Sequence, residues 1–277
     1  MAVYNKMKEE EKLLILSNQY TRKELSKLLN RNVQTISRWI RNLSANPPYS
    51  EKPNKYAHDV NYFRNWNSNM AYVLGFICAD GNVSKTARNG GILQINLAKK
   101  DRNHLEKLKK LLKSEVQIRE NKNSFVLAIC SITIVNSLIE MGVMERKSTI
   151  LKWIDGIPDN YVNHFIRGYF DGDGTIFVTK NRDTRNKKEY TYRRLQISIL
   201  GTEHFLKGVK KEFCKFYGKD VGKVIKMKDY NAFRYSLSTK SAVYFCKFIY
   251  KNSSEENRLS RKYVRYIDFC NENSIDI

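Results

Sequence analysis

Proline is scarce in this chain of 277 residues. There are four, and three of them (Pro47, Pro48 and Pro53) fall in one short stretch with Ser44, Asn46, Ser50 and Asn54. Elsewhere the chain is nearly free of the residue that most readily breaks helices and strands, while residues 44–58 read as an extended linker. Histidine is scarce too: the four copies are scattered and offer no zinc or iron constellation. The five cysteines (Cys78, Cys130, Cys214, Cys246 and Cys270) are odd in number, lack a Cys-x-x-Cys pair and mostly fall in apolar runs. Reduced, buried thiols are the expectation, not disulfides or zinc. No run of 18 apolar residues offers a membrane span, and the opening Met1 to Lys8, followed by Glu9, Glu10 and Glu11, lacks a signal-peptide pattern. The expected location is the cytoplasm, with the nucleoid, or an organellar matrix if an organelle encodes the chain. Acidic residues are also few: 28 against 50 Lys and Arg give a net charge of +22. With 42% hydrophobic residues a sizeable core is available, and the basic excess favours a polyanionic partner.

One stretch occurs twice. Ala71-Tyr72-Val73-Leu74-Gly75-Phe76-Ile77-Cys78-Ala79-Asp80-Gly81 and Asn163-His164-Phe165-Ile166-Arg167-Gly168-Tyr169-Phe170-Asp171-Gly172-Asp173-Gly174 align on their closing Asp-Gly. Each has Gly five residues before the last Asp and Ala or Gly just before it. Each reads as a buried helix ending at its acid, with room for one compact α/β half behind it. Gly75 and Ala79 share a helix face, as do Gly168 and Gly172, so two such helices can approach closely. If they pack on each other, Asp80 and Asp173 meet at helix C-termini that already carry partial negative charge. A hard divalent cation among carboxylates and carbonyls would relieve that repulsion, and oxygen-only ligation suits magnesium. A calcium loop beginning at Asp171 is excluded, because Thr175 and Arg182 stand where it needs a ligand and a closing Glu.

Both stretches resemble LAGLIDADG motifs, the signature of a homing endonuclease family, and the likeness extends over roughly residues 60–270. The resemblance implies that Asp80 and Asp173 bind catalytic metal together with the carbonyls of Ala79 and Gly172. It implies Mg2+, with Mn2+ or Ca2+ able to substitute for binding. Cys78 departs from the family's usual acid, while Asp171 keeps it. The family commonly adds a basic residue near each site. Aligning Phe233–Thr239 with Phe125–Ser131 puts Lys240 at that position in the second half and Ile132 in the first, which implies unequal sites. Lys240 could equally open the next helix on the surface.

The flanking segments fill out an α+β architecture. Residues 1–44 read as a small all-α helix-turn-helix domain. Leu13, Leu14 and Leu16 pattern its first helix. Thr21 with Glu24 forms a capping box before Leu25, Leu28 and Leu29. Val33, Ile36, Ile40 and Leu43 give the third helix a buried face, leaving Gln34, Thr35, Ser37, Arg38 and Arg41 pointing out, as a helix in a major groove requires. Residues 45–60 are linker, 61–158 the first half-domain and 159–277 the second. Each half has the order αββαββα, and together they are expected to form a DNA-binding saddle with internal pseudo-two-fold symmetry in a monomer.

In the first half, Ile92 to Leu97 alternates at period two with Gln94 and Asn96 on one face; Asp101 is placed to cap a helix, and Val116-Gln117-Ile118-Arg119 and Phe125 to Ser131 follow as strands. In the second, Tyr190, Tyr192, Arg194, Gln196 and Ser198 alternate with Thr191, Arg193, Leu195, Ile197 and Ile199 beside a charged hairpin tip at residues 180–194. Arg234, Ser236, Ser238 and Lys240 share a face. Such polar strand faces can read bases in a major groove. A helix over residues 255–271, rich in Arg258, Arg261, Lys262 and Arg265, covers the second half. The expected activity is a metal-dependent double-strand break at a long asymmetric DNA target, each acid serving one strand. A non-catalytic regulator and an intron RNA maturase are the alternatives on the same scaffold. An intein is not expected, since the chain neither opens with Cys or Ser nor closes with His-Asn.

Overall fold

Four helices begin where a side chain, that of Thr21, Asn67, Ser131 or Thr202, supplies a missing acceptor. The computed structural model describes residues 8–17, 20–43, 56–86, 90–145, 147–185, 188–228 and 230–276, and side chains at 41–43, 148, 183–185 and 188–191 lie outside that description. Two units result, Met1–Pro53 and Asn54–Ile277.

The smaller unit holds α1 (Glu9–Leu16), α2 (Arg22–Leu28) and α3 (Val33–Leu43). Thr21 caps α2 as its spacing suggests: its hydroxyl accepts the Glu24 N–H, and Glu24 returns the bond to the Thr21 N–H at 2.7 Å. The core consists of Ile15, Leu25, Ile36 and Trp39, with Leu14, Leu29 and Ile40 packed on it. The helical faces are therefore turned from those read in the sequence. Leu13, Leu16, Leu28 and Val33 are exposed, and Trp39 fills the place given to Val33. The indole is anchored from outside by Arg31, whose guanidinium lies 5.5 Å from the ring and also bonds Glu11.

The larger unit repeats one pattern twice. The first half runs α4 (Ser68–Asp80), β1 (Gly81–Lys85), β2 (Gly91–Ala98), α5 (Arg102–Leu111), β3 (Arg119–Glu120), β4 (Ser124–Cys130) and α6 (Ile132–Glu140). The second runs α7 (Val162–Asp173), β5 (Gly174–Arg185), β6 (Lys188–Gly201), α8 (Glu203–Tyr217), β7 (Val224–Lys226), β8 (Phe233–Ser238) and α9 (Lys240–Tyr250), with α10 (Ser260–Glu272) added. The antiparallel sheets have matching orders, β1-β2-β4-β3 and β5-β6-β8-β7. Helices α5 and α6 cover the first sheet and α8 and α9 the second, while α4 and α7 pack on each other. One contiguous apolar core joins both halves.

Three local expectations change. The strand drawn over Val116–Arg119 shrinks to Arg119–Glu120, because the chain before it bonds elsewhere: Glu115 N–H donates to the Ala57 carbonyl at 2.9 Å and Val116 N–H to the Ser114 hydroxyl at 3.2 Å. Asp101 precedes α5 but does not cap it. Its carboxylate takes a bidentate pair from Arg261 at 2.8 and 3.0 Å, a stronger, charge-assisted partnership. Lys240 leaves the face of Arg234, Ser236 and Ser238, because Thr239 adopts φ 55°, ends the alternation and makes Lys240 the first, exposed residue of α9. Among the described residues no helix is long and apolar enough to cross a membrane.

Candidate active site at the helix crossing

The crossing of α4 and α7 is built on missing side chains. A methyl group at Gly75 would sit 2.0 Å from the Phe165 carbonyl oxygen, and one at Gly168 would sit 1.9 Å from that of Tyr72. At the C-terminal end, one at Gly172 would sit 2.3 Å from the Ala79 methyl and 3.2 Å from Asp80 Oδ2. Backbone thus meets backbone over the two central turns, and the Asp80 carboxylate is delivered against the end of α7.

Asp80 is exposed and Asp173 half-buried, so both acids are reachable from solvent at adjoining helix ends. Surrounding protein raises the pKa of each carboxyl. For Asp173, burial and the nearby Asp80 charge carry it up to about 6. Two cations pull the other way on both acids, and neither is Lys240. Lys147 donates to the Ala79 carbonyl at 3.2 Å and also bonds that of Gly81. Lys262 donates to the carbonyls of Phe170 and Asp171 at 2.6 and 2.8 Å, reaches Gly172 at 3.5 Å and also bonds Gly174. Both ammonium groups act on both Asp80 and Asp173. Burial lowers both lysines, Lys262 to about 8. Each half therefore closes its motif helix with a buried lysine folded over the last carbonyls, where the helix dipole favours a cation.

The oxygens gathered here fit a hard divalent ion: two carboxylates whose repulsion an ion would relieve, plus the Ala79 and Gly172 carbonyls. Among the described residues no three His, Cys, Asp or Glu side chains form a cage. A cation would complete its shell with water and substrate oxygens, as magnesium does at phosphate sites.

Beyond the crossing, each sheet presents an open face. In the first, Asn82 pairs with Gln94 and Gln94 with Ala128, while Asn96 pairs with Val126, which pairs with Arg119. Gln117, just outside the strand, lines a cavity of about 320 Å³ with Arg119, Tyr56 and His58. In the second, Thr175, Ser198 and Ser236 form one row, Phe177, Gln196 and Ser238 the next, and Leu200 pairs with Arg234. Arg194 lies over the Tyr192 ring and donates to its hydroxyl at 3.1 Å. Tyr190 pairs with Asp183 through its backbone, and its side chain lies outside the described residues. In the smaller unit, Gln34 and Arg38 of α3 are exposed and Thr35 is half-buried, with the Arg41 side chain undescribed.

Lys147 went unnoticed in the sequence, and Lys262 was read only as part of a basic covering helix. Lys262 did leave a signal: it shares the buried side of α10 with Tyr266, Phe269 and Cys270, a charge on an apolar stripe. Lys147 sits in a short turn at Lys147–Thr149 with no periodicity to expose it.

Comparison with known families gives two matches in this unit. A model described as LAGLIDADG endonuclease matches residues 166–273, and one described as LAGLIDADG-like domain matches residues 67–136. Neither reaches the three helices of the smaller unit. No curated protein matches the sequence. Among the solved structures that share the fold are three with a TM-score of 0.52. The LAGLIDADG meganuclease I-AabMI bound to uncleaved DNA is 18% identical, over 76% of this chain and 91% of that one. The I-LtrWI LAGLIDADG homing endonuclease bound to target DNA is 14% identical, over 78% and 91%. The meganuclease I-CpaMI bound to uncleaved DNA is 15% identical, over 76% and 92%.

Proposed function

The chain belongs to the LAGLIDADG family of homing endonucleases, with one domain of the family in each half, and on that premise we propose that it makes a metal-dependent double-strand break at a long, asymmetric DNA target. The observation that carries this reading is the meeting of Asp80 and Asp173 at a glycine-built helix crossing, where Asp80 raises the pKa of Asp173. The two carboxylates lie at adjoining helix ends within reach of solvent.

In this proposal the two carboxylates and the carbonyls of Ala79 and Gly172 hold Mg2+. A divalent cation there would supply charge to the phosphate oxygens and acidify a water. The remaining work falls to the chain. Lys147 and Lys262 place positive charge beside the scissile phosphates, offsetting charge that develops on the leaving oxygen. The role assigned to Lys240 passes to them. The two acids lie at adjoining helix ends and serve as one pair, while Lys147 sits on the carbonyls that end α4 and Lys262 on those that end α7, so the distinction between strands falls to the two lysines. The open faces lie against the duplex, with Gln94, Asn96, Gln117 and Arg119 on one half-site and Tyr190, Tyr192, Arg194, Gln196, Ser198, Arg234, Ser236 and Ser238 on the other. The different residues on the two faces make the target asymmetric. Helix α3 adds a further DNA contact through Gln34, Thr35, Arg38 and Arg41, supported by the exposure of Gln34 and Arg38.

The test is cleavage of a randomised-site DNA library with Mg2+, comparing wild type with Asp80→Asn/Asp173→Asn. Cutting that disappears in the double variant supports the nuclease and yields its target. Binding without cutting by both proteins would instead favour a regulator, and preference for intron RNA a maturase.

A further inference from the structure

The motif position two residues before each catalytic acid separates the halves. In the first it is Cys78, a buried thiol pushed up to about 12 by desolvation. In the second it is Asp171, 2% exposed and outside the acid pair just described. One of its oxygens does two things. Asp171 Oδ2 accepts from the Tyr72 hydroxyl of α4 at 2.8 Å and from the Leu259 backbone N–H at 2.7 Å. Leu259 is the residue that leads into α10, three before Lys262.

Neighbouring bonds point the same way. Arg167, one turn earlier on α7 and fully buried, donates to the carbonyls of Asn257 and Ile249, both at 2.8 Å, and to the Asn257 side chain at 3.0 Å. Asn257 in turn donates to Asn69 at 2.9 Å. Two side chains of α7 therefore grip residues 257–259, and Lys262 then folds back onto the carbonyls of Phe170 and Asp171. An oxygen at this position can accept both bonds, whereas a thiol is a weak acceptor. Cys78 could not reproduce this grip, and among the described residues no added α-helix follows the first half for it to hold.

We propose that Asp171 is a positioning residue of the second half, whose carboxylate latches the start of α10 to α4 and α7 and so holds Lys262 beside Asp173. Its effect on cleavage rests on the nuclease reading; the latch itself does not.

The experiment uses the full chain as Asp171→Ala and Asp171→Asn, with Tyr72→Phe as a milder variant in case the first fails to fold. Asn keeps an oxygen able to accept both bonds. Two readouts are taken: hydrogen exchange over residues 255–266, and cleavage of each strand of an end-labelled target. Asp171→Ala is expected to raise exchange in that segment and to slow one strand at least about tenfold more than the other. That strand should be the one whose cutting also fails in Lys262→Met. Tyr72→Phe should act in the same direction more weakly, and Asp171→Asn should return both readouts to within ~3-fold of wild type. Equal slowing of both strands, unchanged exchange in Asp171→Ala and Tyr72→Phe, or no recovery with Asn would overturn the proposal. A wild type that cuts no DNA, with exchange still raised in Asp171→Ala, would remove the nuclease reading and leave the latch.

Discussion

The two halves of the larger unit share an element order and a sheet order, yet they hold their lysines differently. Lys147 comes from a short turn and bonds two carbonyls; Lys262 comes from an extra helix, bonds four, and is tied in through Asp171 and Arg167. Their open faces differ as well. The second sheet has long strands, Gly174–Arg185 and Lys188–Gly201, and rows rich in Ser, Thr, Gln and Arg, where the first has Ala128 and Val126 beside Gln94 and Asn96. Topology is preserved in both halves, and strand length and side chains diverge on the open faces. A duplicated fold can therefore keep one centre while its two sides act on unlike sequences.

The most damaging way to break the comparison is to break what the halves share. Gly168→Ala places a methyl group against the Tyr72 carbonyl, and Gly75→Ala does the same against Phe165. Each should destabilise the fold by about 3 kcal/mol, an overpacking cost that backbone atoms cannot relieve, and cutting of both strands should fall together. Chemical denaturation and strand-resolved cleavage check this.

Next in size is the lysine exchange. Lys147→Met and Lys262→Met should each slow one strand, and opposite strands, by roughly a hundredfold while leaving DNA affinity nearly unchanged. Accumulation of oppositely nicked products on a supercoiled target is the readout. If both variants slow both strands alike, the assignment of one lysine to each strand fails.

Protonation gives a medium-sized effect with a definite sign. The folded-state pKa of Asp173 is raised to about 6, so its charged form opposes folding. The penalty is absent while both states are protonated at low pH. It grows as pH rises past the unfolded value and is complete above about 6. Asp173→Asn should therefore be more stable than wild type at pH 7 by about 1–3 kcal/mol without metal, with the difference vanishing below about pH 3. The same titration means that Mg2+ affinity should weaken as pH falls below about 6, since the cation competes with a proton.

The most localised effects, each confined to one half-site, are expected on the open faces. Gln196→Ala or Arg234→Ala should relax base preference in one half-site, and Gln94→Ala in the other, by about 1–3 kcal/mol for each lost bidentate contact. Target-variant cleavage profiles would show which half-site responds.

Much of this was legible in sequence because the cues were local. Gly75, Ala79, Gly168 and Gly172 announce a close helix crossing, Thr21 and Glu24 announce a helix start, and the alternation around Leu195, Ile197 and Ile199 gives the face of Arg194, Gln196 and Ser198 directly. What stayed hidden was non-local. Lys147 and Lys262 reach the acids only after the chain has passed through a whole half. Asp101 looked like a cap until Arg261, distant in sequence, claimed its carboxylate. Lys240 fitted both a strand face and the opening of the next helix, and the positive φ at Thr239, which no polar alternation reveals, decides for the helix. In the smaller unit, Val33 and Trp39 both fitted a helical apolar stripe, and only packing against Ile15 and Leu25 chose the indole.

The most direct test of the acid pair is the cleavage and binding of the recovered target by Asp80→Asn and Asp173→Asn separately. The pair predicts that each variant still binds DNA within ~3-fold of wild type but cuts both strands at least about a hundredfold more slowly. Either variant cutting both strands at the wild-type rate would contradict a catalytic centre at the helix crossing.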